Sequence, residues 1–151
     1  MKVKSLFNLT KGRVRILNRN RQRPDIITVA LNQRDQVNFD VYHLNVKTGE
    51  LKPYLLNPGN ITKWYPDPNG QIRLVKVSDG VSESLLFRPN ENAPFKTIIK
   101  NNFNDRVEPI AFAGETDSFY ALSNVNRDKT ALIEIDARAE QLLEASVPII
   151  V

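Results

Sequence analysis

Cysteine is absent from this chain of 151 residues, and histidine, tryptophan and methionine occur once each. The missing cysteines exclude disulfides, thiolate zinc sites and a cysteine nucleophile. They leave the compartment open. One histidine, His43, and no cysteine make a zinc site a poor fit, because structural zinc sites draw on four such ligands. No apolar run approaches the ~20 residues of a membrane-spanning helix, and Leu6-Phe7 is too short for a signal-peptide core. Acidic residues are missing from residues 1–23, which hold eight Lys or Arg. Beyond them, thirteen basic residues against seventeen acids leave residues 24–151 at −4. The net charge of +4 is therefore a property of the leading segment.

What the chain has is a repeat. Three times it runs through an apolar strand, a turn and a second apolar strand. The second strands start at Ile26, Ile72 and Phe119, steps of 46 and 47 residues; the first strands step from Val14 to Ile61 to Val107, by 47 and 46. A fixed period in this range marks stacked supersecondary units. Strands are expected at 13–18, 25–32, 39–46 and 51–56 in the first unit. In the second they are expected at 61–66, 71–78, 83–88 and 95–100. In the third the places are 107–113, 118–124, 130–135 and 141–146.

Turn chemistry separates these strands. Lys47-Thr48-Gly49-Glu50 and Asp79-Gly80 are hairpin signals, and Pro66-Asp67-Pro68-Asn69-Gly70 combines proline, Asx and glycine preferences. Residues 136–140 lack a glycine, so that turn is expected to be longer or to avoid positive φ. Ile26-Ile27, Val29-Ala30-Leu31, Leu85-Leu86-Phe87 and Ala131-Leu132-Ile133 are apolar on both strand faces. Two apolar faces imply a sheet between two layers. With no strong helical period, the covering layer is another sheet. The expected fold is all-β: a partial β-propeller of three four-stranded antiparallel blades, about 10–57, 58–103 and 104–147, the first strand of each innermost. A β-sandwich with coincidental spacing is the alternative.

Particular residues add a resemblance. Asp40-Val41-Tyr42-His43-Leu44 followed by Thr48-Gly49-Glu50 resembles the outer hairpin of one propeller group. Asn57-Pro58-Gly59 leading to Trp64, Asp67 and Gly70 resembles its inner strand and turn. Phe119-Tyr120 with Ser123-Asn124, Arg127-Asp128 and Ala131-Leu132 resembles a further blade. Over residues 10 to 145 the chain resembles the N-terminal propeller of the prolyl oligopeptidase family of serine peptidases, dipeptidyl and acylaminoacyl peptidases included. The resemblance implies a propeller of about seven or eight blades that caps an α/β-hydrolase domain and limits entry to a buried Ser-Asp-His triad. That hydrolase domain has no counterpart here. The missing blades, the hydrolase domain and its peptide substrate are thus the implied partners.

Chemistry within the chain is sparse. Gly80-Val81-Ser82-Glu83-Ser84 is the nearest string to a nucleophile elbow, but it lacks the final glycine and falls in a hairpin rather than between strand and helix. His43 would have to serve any triad, and its mid-strand place reads more simply as packing. Asp67, Asn69, Asp79 and Asp128 read as turn residues, lacking a calcium-loop pattern. Arg13, Arg15, Lys63 and Glu108 are the expected channel-facing residues; with one acid among them, a paired-carboxylate glycosidase is disfavoured. Neither cofactor nor metal is expected. Trp64, Tyr42, Phe87, Phe112, Phe119 and Tyr120 are expected in the core between blades.

Two other readings compete. One is a protein-interaction propeller of the periplasmic translocation type. The other is nucleic-acid binding through Arg13 to Arg23, which lacks interleaved aromatics for base stacking. Three blades cannot close a ring, so the chain is expected to self-associate through apolar blade faces or open strand edges.

Overall fold

A computed structural model describes residues 1–102 and 104–139. Among them there is no helix, hence none long and apolar enough to cross a membrane. Eleven strands form three antiparallel sheets. The first holds β1 (Val14–Arg19), β2 (Ile26–Leu31), β3 (Asp40–Asn45) and β4 (Leu51–Leu55). The second holds β5 (Ile61–Pro66), β6 (Ile72–Ser78), β7 (Glu83–Phe87) and β8 (Lys96–Asn101). The third holds β9 (Val107–Phe112), β10 (Ser118–Ser123) and β11 (Ala131–Asp136). In each sheet the strands lie in chain order, every one paired with its neighbour in sequence. The expected twelfth strand, 141–146, lies outside the described residues.

The chain divides into two compact units. Unit 1 is residues 1–59 with the turn 68–70; unit 2 is residues 60–67 and 71 onward. That turn joins unit 1 by hydrogen bonds: Asn20 Nδ2 donates to Asn69 O (2.6 Å), Arg21 N to Pro68 O (3.3 Å) and Thr28 Oγ1 to Gly70 O (3.4 Å). Gly70 has φ +78°, and a Cβ there would sit 2.8 Å from Thr28 Oγ1. Only glycine serves at that close approach.

In unit 1, Val29, Leu31, Tyr42 and Leu44 form a buried cluster on one face of the first sheet. Leu6, Phe7 and Leu9 of the leading segment pack on this face. The segment crosses the β3–β4 turn closely enough that a Cβ on Gly49 would lie 2.9 Å from Leu6 O.

Unit 2 pairs the second and third sheets over one core. Leu74, Leu85, Phe87 and Ile99 of the second sheet meet Phe119, Ala121, Ile133 and Ile135 of the third. Each fully buried large side chain contributes ~1.5–3 kcal/mol. The two sheets come closest at their first strands, β5 and β9.

Val29, Ala30 and Leu31 of β2 are all buried, as expected of a strand apolar on both faces, and β6 is buried from Ile72 through Lys76, its two cations included. The third sheet departs from that expectation. Along β10 burial alternates, with Phe119, Ala121 and Ser123 buried while Tyr120 and Leu122 are about two-fifths exposed; Leu132 on β11 is half exposed. Their run of apolar residues has one covered face, not two, and Tyr120 is not a core residue. The other five aromatic residues expected in the core are buried.

No described residue of the glycine-free turn after β11 has positive φ, one of the two forms expected of it. Ala139 N donates to Asp136 O (3.2 Å) and Arg138 N to Asp136 Oδ1 (2.9 Å).

Candidate functional site

Two of the four expected channel-facing residues meet. Lys63 on β5 and Glu108 on β9 face each other across the two sheets of unit 2, and Lys63 Nζ donates to Glu108 Oε1 at 2.6 Å. Tyr65, two residues along β5 and so on the same strand face, donates its hydroxyl to the same oxygen at 3.2 Å. Lys76 of β6 donates to Glu108 Oε2 and stands 3.7 Å from Glu83 of β7.

The electrostatics of this strip follow from burial. The Lys76 side chain is 6% exposed and that of Glu108 40%. Burial alone would raise the Glu108 carboxyl, but hydrogen bonds and charge from Lys63 and Lys76 outweigh it and hold the group below its ordinary value. Burial first, and then the Glu108 charge, push the Tyr65 phenol far above the usual range. It remains a donor at any physiological pH. Two ammonium groups, Lys63 and Lys76, balance two carboxylates, Glu108 and Glu83. Both oxygens of Glu108 are engaged while it is ionised. The strip therefore clamps two sheets and presents fixed charge, rather than moving a proton.

The other two expected residues belong to unit 1. Arg13 precedes β1, exposed, with its backbone N donating to Asn32 Oδ1 at 2.5 Å. Arg15 is exposed on β1, its guanidinium carbon 3.9 Å from the centroid of Phe39. A contact of this kind at an exposed site contributes ~0.5–1 kcal/mol.

The residues tested for catalysis have local roles. His43 stacks on Tyr54 with centroids 4.4 Å apart. Ser82 Oγ donates to Asp79 Oδ2 (3.1 Å), while Val81 N and Ser82 N donate to Asp79 Oδ1, each at 2.8 Å. These bonds lower the Asp79 pKa, the Ser82 backbone bond first. The aspartate thus shapes the hairpin. A cavity of about 170 Å³ beside it is lined by Ser78, Glu83, Asn101, Asn102 and Arg106. No group of three or more His, Cys, Asp or Glu suited to a metal ion occurs among the described residues. Asp67 instead pairs with Arg73 and accepts from Gln71 N (3.0 Å); Asp128 is exposed.

No protein-family model, curated protein or solved structure matches the chain.

Sequence reasoning passed over Lys76, Tyr65 and Glu83, together with a second buried network around Arg73. A signal was present: Arg73 and Lys76 interrupt the otherwise apolar Ile72–Val77. A cation inside a buried strand calls for a counter-ion.

Proposed function

We propose that this chain is a non-catalytic segment of a β-propeller, which gates or positions peptide substrates for a prolyl oligopeptidase-type hydrolase domain encoded outside this sequence. One observation carries the reading. The two consecutive meander sheets of unit 2 pack face to face and approach most closely at their first strands, joined there by Lys63 and Glu108. Sheets arranged radially, first strand innermost, meet in this way. Charge on those strands would line the passage a substrate crosses. The sequence resemblance supplies the class of enzyme, and the local roles of Ser82 and His43 fit a chain that leaves the chemistry to another domain.

Two measurements test it. The purified chain should not react with a fluorophosphonate probe for activated serines; labelling at Ser82 would overturn the non-catalytic assignment. The gene's reading frame beyond this sequence should contain G-x-S-x-G between a strand and a helix. A frame without it would overturn the peptidase assignment.

The outer face of the third sheet bears on partners. Ile110, Tyr120, Leu122 and Leu132 are 40–54% exposed there. A further blade of the parent would cover this face. In the isolated chain, light scattering should show association rising with concentration, and Leu122→Lys should suppress it. A clean monomer at high concentration would contradict this.

A further inference from the structure

A second cavity of unit 2 lies away from the Lys63–Glu108 strip. It occupies about 360 Å³, within the ~300–1,000 Å³ usual for small-ligand sites. Phe87, Pro89, Pro94 and Ile98 supply apolar walls, and Lys96 and Arg138 supply two cations.

The loop that forms one side is held in shape. Buried Arg88 donates from Nε to Ile72 O (2.8 Å) and from Nη1 to Glu91 O (3.2 Å), and its guanidinium carbon lies 4.5 Å from the centroid of Phe95. Ala93 N donates to Asn90 O (3.3 Å), and Asn92 N to Asn90 Oδ1 (2.9 Å). Such a loop needs little ordering on binding, which favours affinity.

The charged residues that line the cavity, Lys96 and Arg138, are both cations, and the charges around them balance. Asp117 is shared between Arg73 Nη1 (2.7 Å) and Arg138 Nε, while Asp67 holds Arg73 Nε (3.0 Å). Asp136 stands beside Arg138 as well, its Oδ1 accepting from Arg138 N at 2.9 Å, so Arg73, Arg88, Lys96 and Arg138 are matched by Asp67, Glu91, Asp117 and Asp136. None of the described lining residues is acidic.

The adjoining strand favours a peptide as occupant. Strand β8 is an edge of its sheet, without a strand on its outer side among the described residues. Lys96 and Ile98 of β8 both line the cavity, Ile98 being the unpaired residue where the β7–β8 register shifts. An extended peptide added along such an edge gains backbone hydrogen bonds from the strand and specificity from the pocket beside it.

We propose that this cavity binds the C-terminus of an extended peptide, taking an apolar last side chain against Phe87, Pro94 and Ile98 and its terminal carboxylate between Lys96 and Arg138. The site goes beyond the gating role and stands whether or not the sheets belong to a propeller.

Fluorescence anisotropy on the full chain tests it, with a dye-labelled hexapeptide ending in leucine as the free acid, its C-terminal amide, and decanoate as competitor. The acid should bind saturably, and amidation should weaken it by about tenfold or more, the scale of losing a charge-assisted contact. Lys96→Glu, a change at an exposed side chain, and Ala93→Trp, which fills the cavity, should each do the same. Lys100→Glu, on the same strand outside the cavity, should leave binding unchanged and so exclude a general charge effect. The proposal is overturned if acid and amide bind alike, if neither binds at millimolar concentration, if decanoate binds and the peptide does not, or if Lys100→Glu weakens binding as much as Lys96→Glu.

Discussion

Replacing Arg73 with methionine is expected to destabilise unit 2 by about 3–5 kcal/mol, the scale of breaking a buried ion pair from one side. The Arg73 side chain is 4% exposed and that of Asp67 6%. Its guanidinium reaches Asp67 Oδ2 at 3.0 Å, Asp117 Oδ1 at 2.7 Å and Thr116 O at 2.7 Å, and packs over Phe112 at 4.5 Å. One side chain thus ties the second sheet to the β9–β10 turn of the third. Methionine keeps much of the volume but leaves the Asp67 carboxylate buried without its cation. Trp64, the single tryptophan, lies in β5 of the same unit, so its fluorescence in a urea titration reports the loss. Adding Asp67→Leu to Arg73→Met should restore a large part of it, because the stranded charge is removed as well. A single variant within ~1 kcal/mol of the parent protein, the ordinary range of exposed pairs, would show that the network carries no stability.

In unit 1, Asp40→Ala is expected to destabilise by about 2–4 kcal/mol through stranded hydrogen-bonding groups. The Asp40 side chain is fully buried. It accepts Arg34 Nε (2.7 Å), Arg34 Nη2 (2.8 Å) and Asn57 N (2.7 Å). Arg34 Nη2 also donates to Asn57 O at 3.1 Å, so the pair fixes the point where the chain leaves the first sheet. Arg34 is half exposed and stays solvated without its partner; the larger part of the loss is the buried Asn57 N–H. Burial by itself would raise the Asp40 carboxyl, but the bonds from Arg34 and Asn57 outweigh it and lower the pKa. The sign of the pH dependence follows. The contribution is present above the unfolded value near ~4 and is lost as pH falls through the lower folded value. Hydrogen exchange at the Asn57 amide should accelerate in Asp40→Ala at neutral pH, and in the unsubstituted protein only on strong acidification. Equal protection in the two proteins at neutral pH would refute this.

Much of the fold was legible because its signals are local. Apolar runs bounded by proline, asparagine and glycine place eleven strands within a residue or two of their observed ends. The 46-residue period groups them into meanders. What escaped depends on strand register. Tyr65 pairs with Leu74 and Pro66 with Ile72, so Arg73 has no partner of its own. In the third sheet Tyr120 pairs with Ala111 and Ala121 with Pro109, and the unpaired residue is Ile110, on the opposite strand of the hairpin. An unpaired residue bends its strand and re-aims side chains. Simple alternation therefore does not predict the buried ion pairs of Arg73; along β10 alternation holds, and Tyr120 and Leu122 escaped because their apolar character does not say which face is covered. Within the candidate site, Lys63 and Glu108 were legible as charges on first strands. Lys76 was not, because a buried lysine reads as an interruption until Glu108 is placed beside it.

The leading segment has a consequence for assembly. Leu6, Phe7 and Leu9 occupy the apolar face of the first sheet, whereas Ile110, Tyr120, Leu122 and Leu132 of the third sheet are exposed among the described residues. Head-to-tail polymerisation needs two complementary faces on each molecule; a single sticky face can only be shared about a twofold axis. Removing residues 1–9 should bare the covered face of the first sheet and give the chain a second apolar surface, the condition for open-ended association.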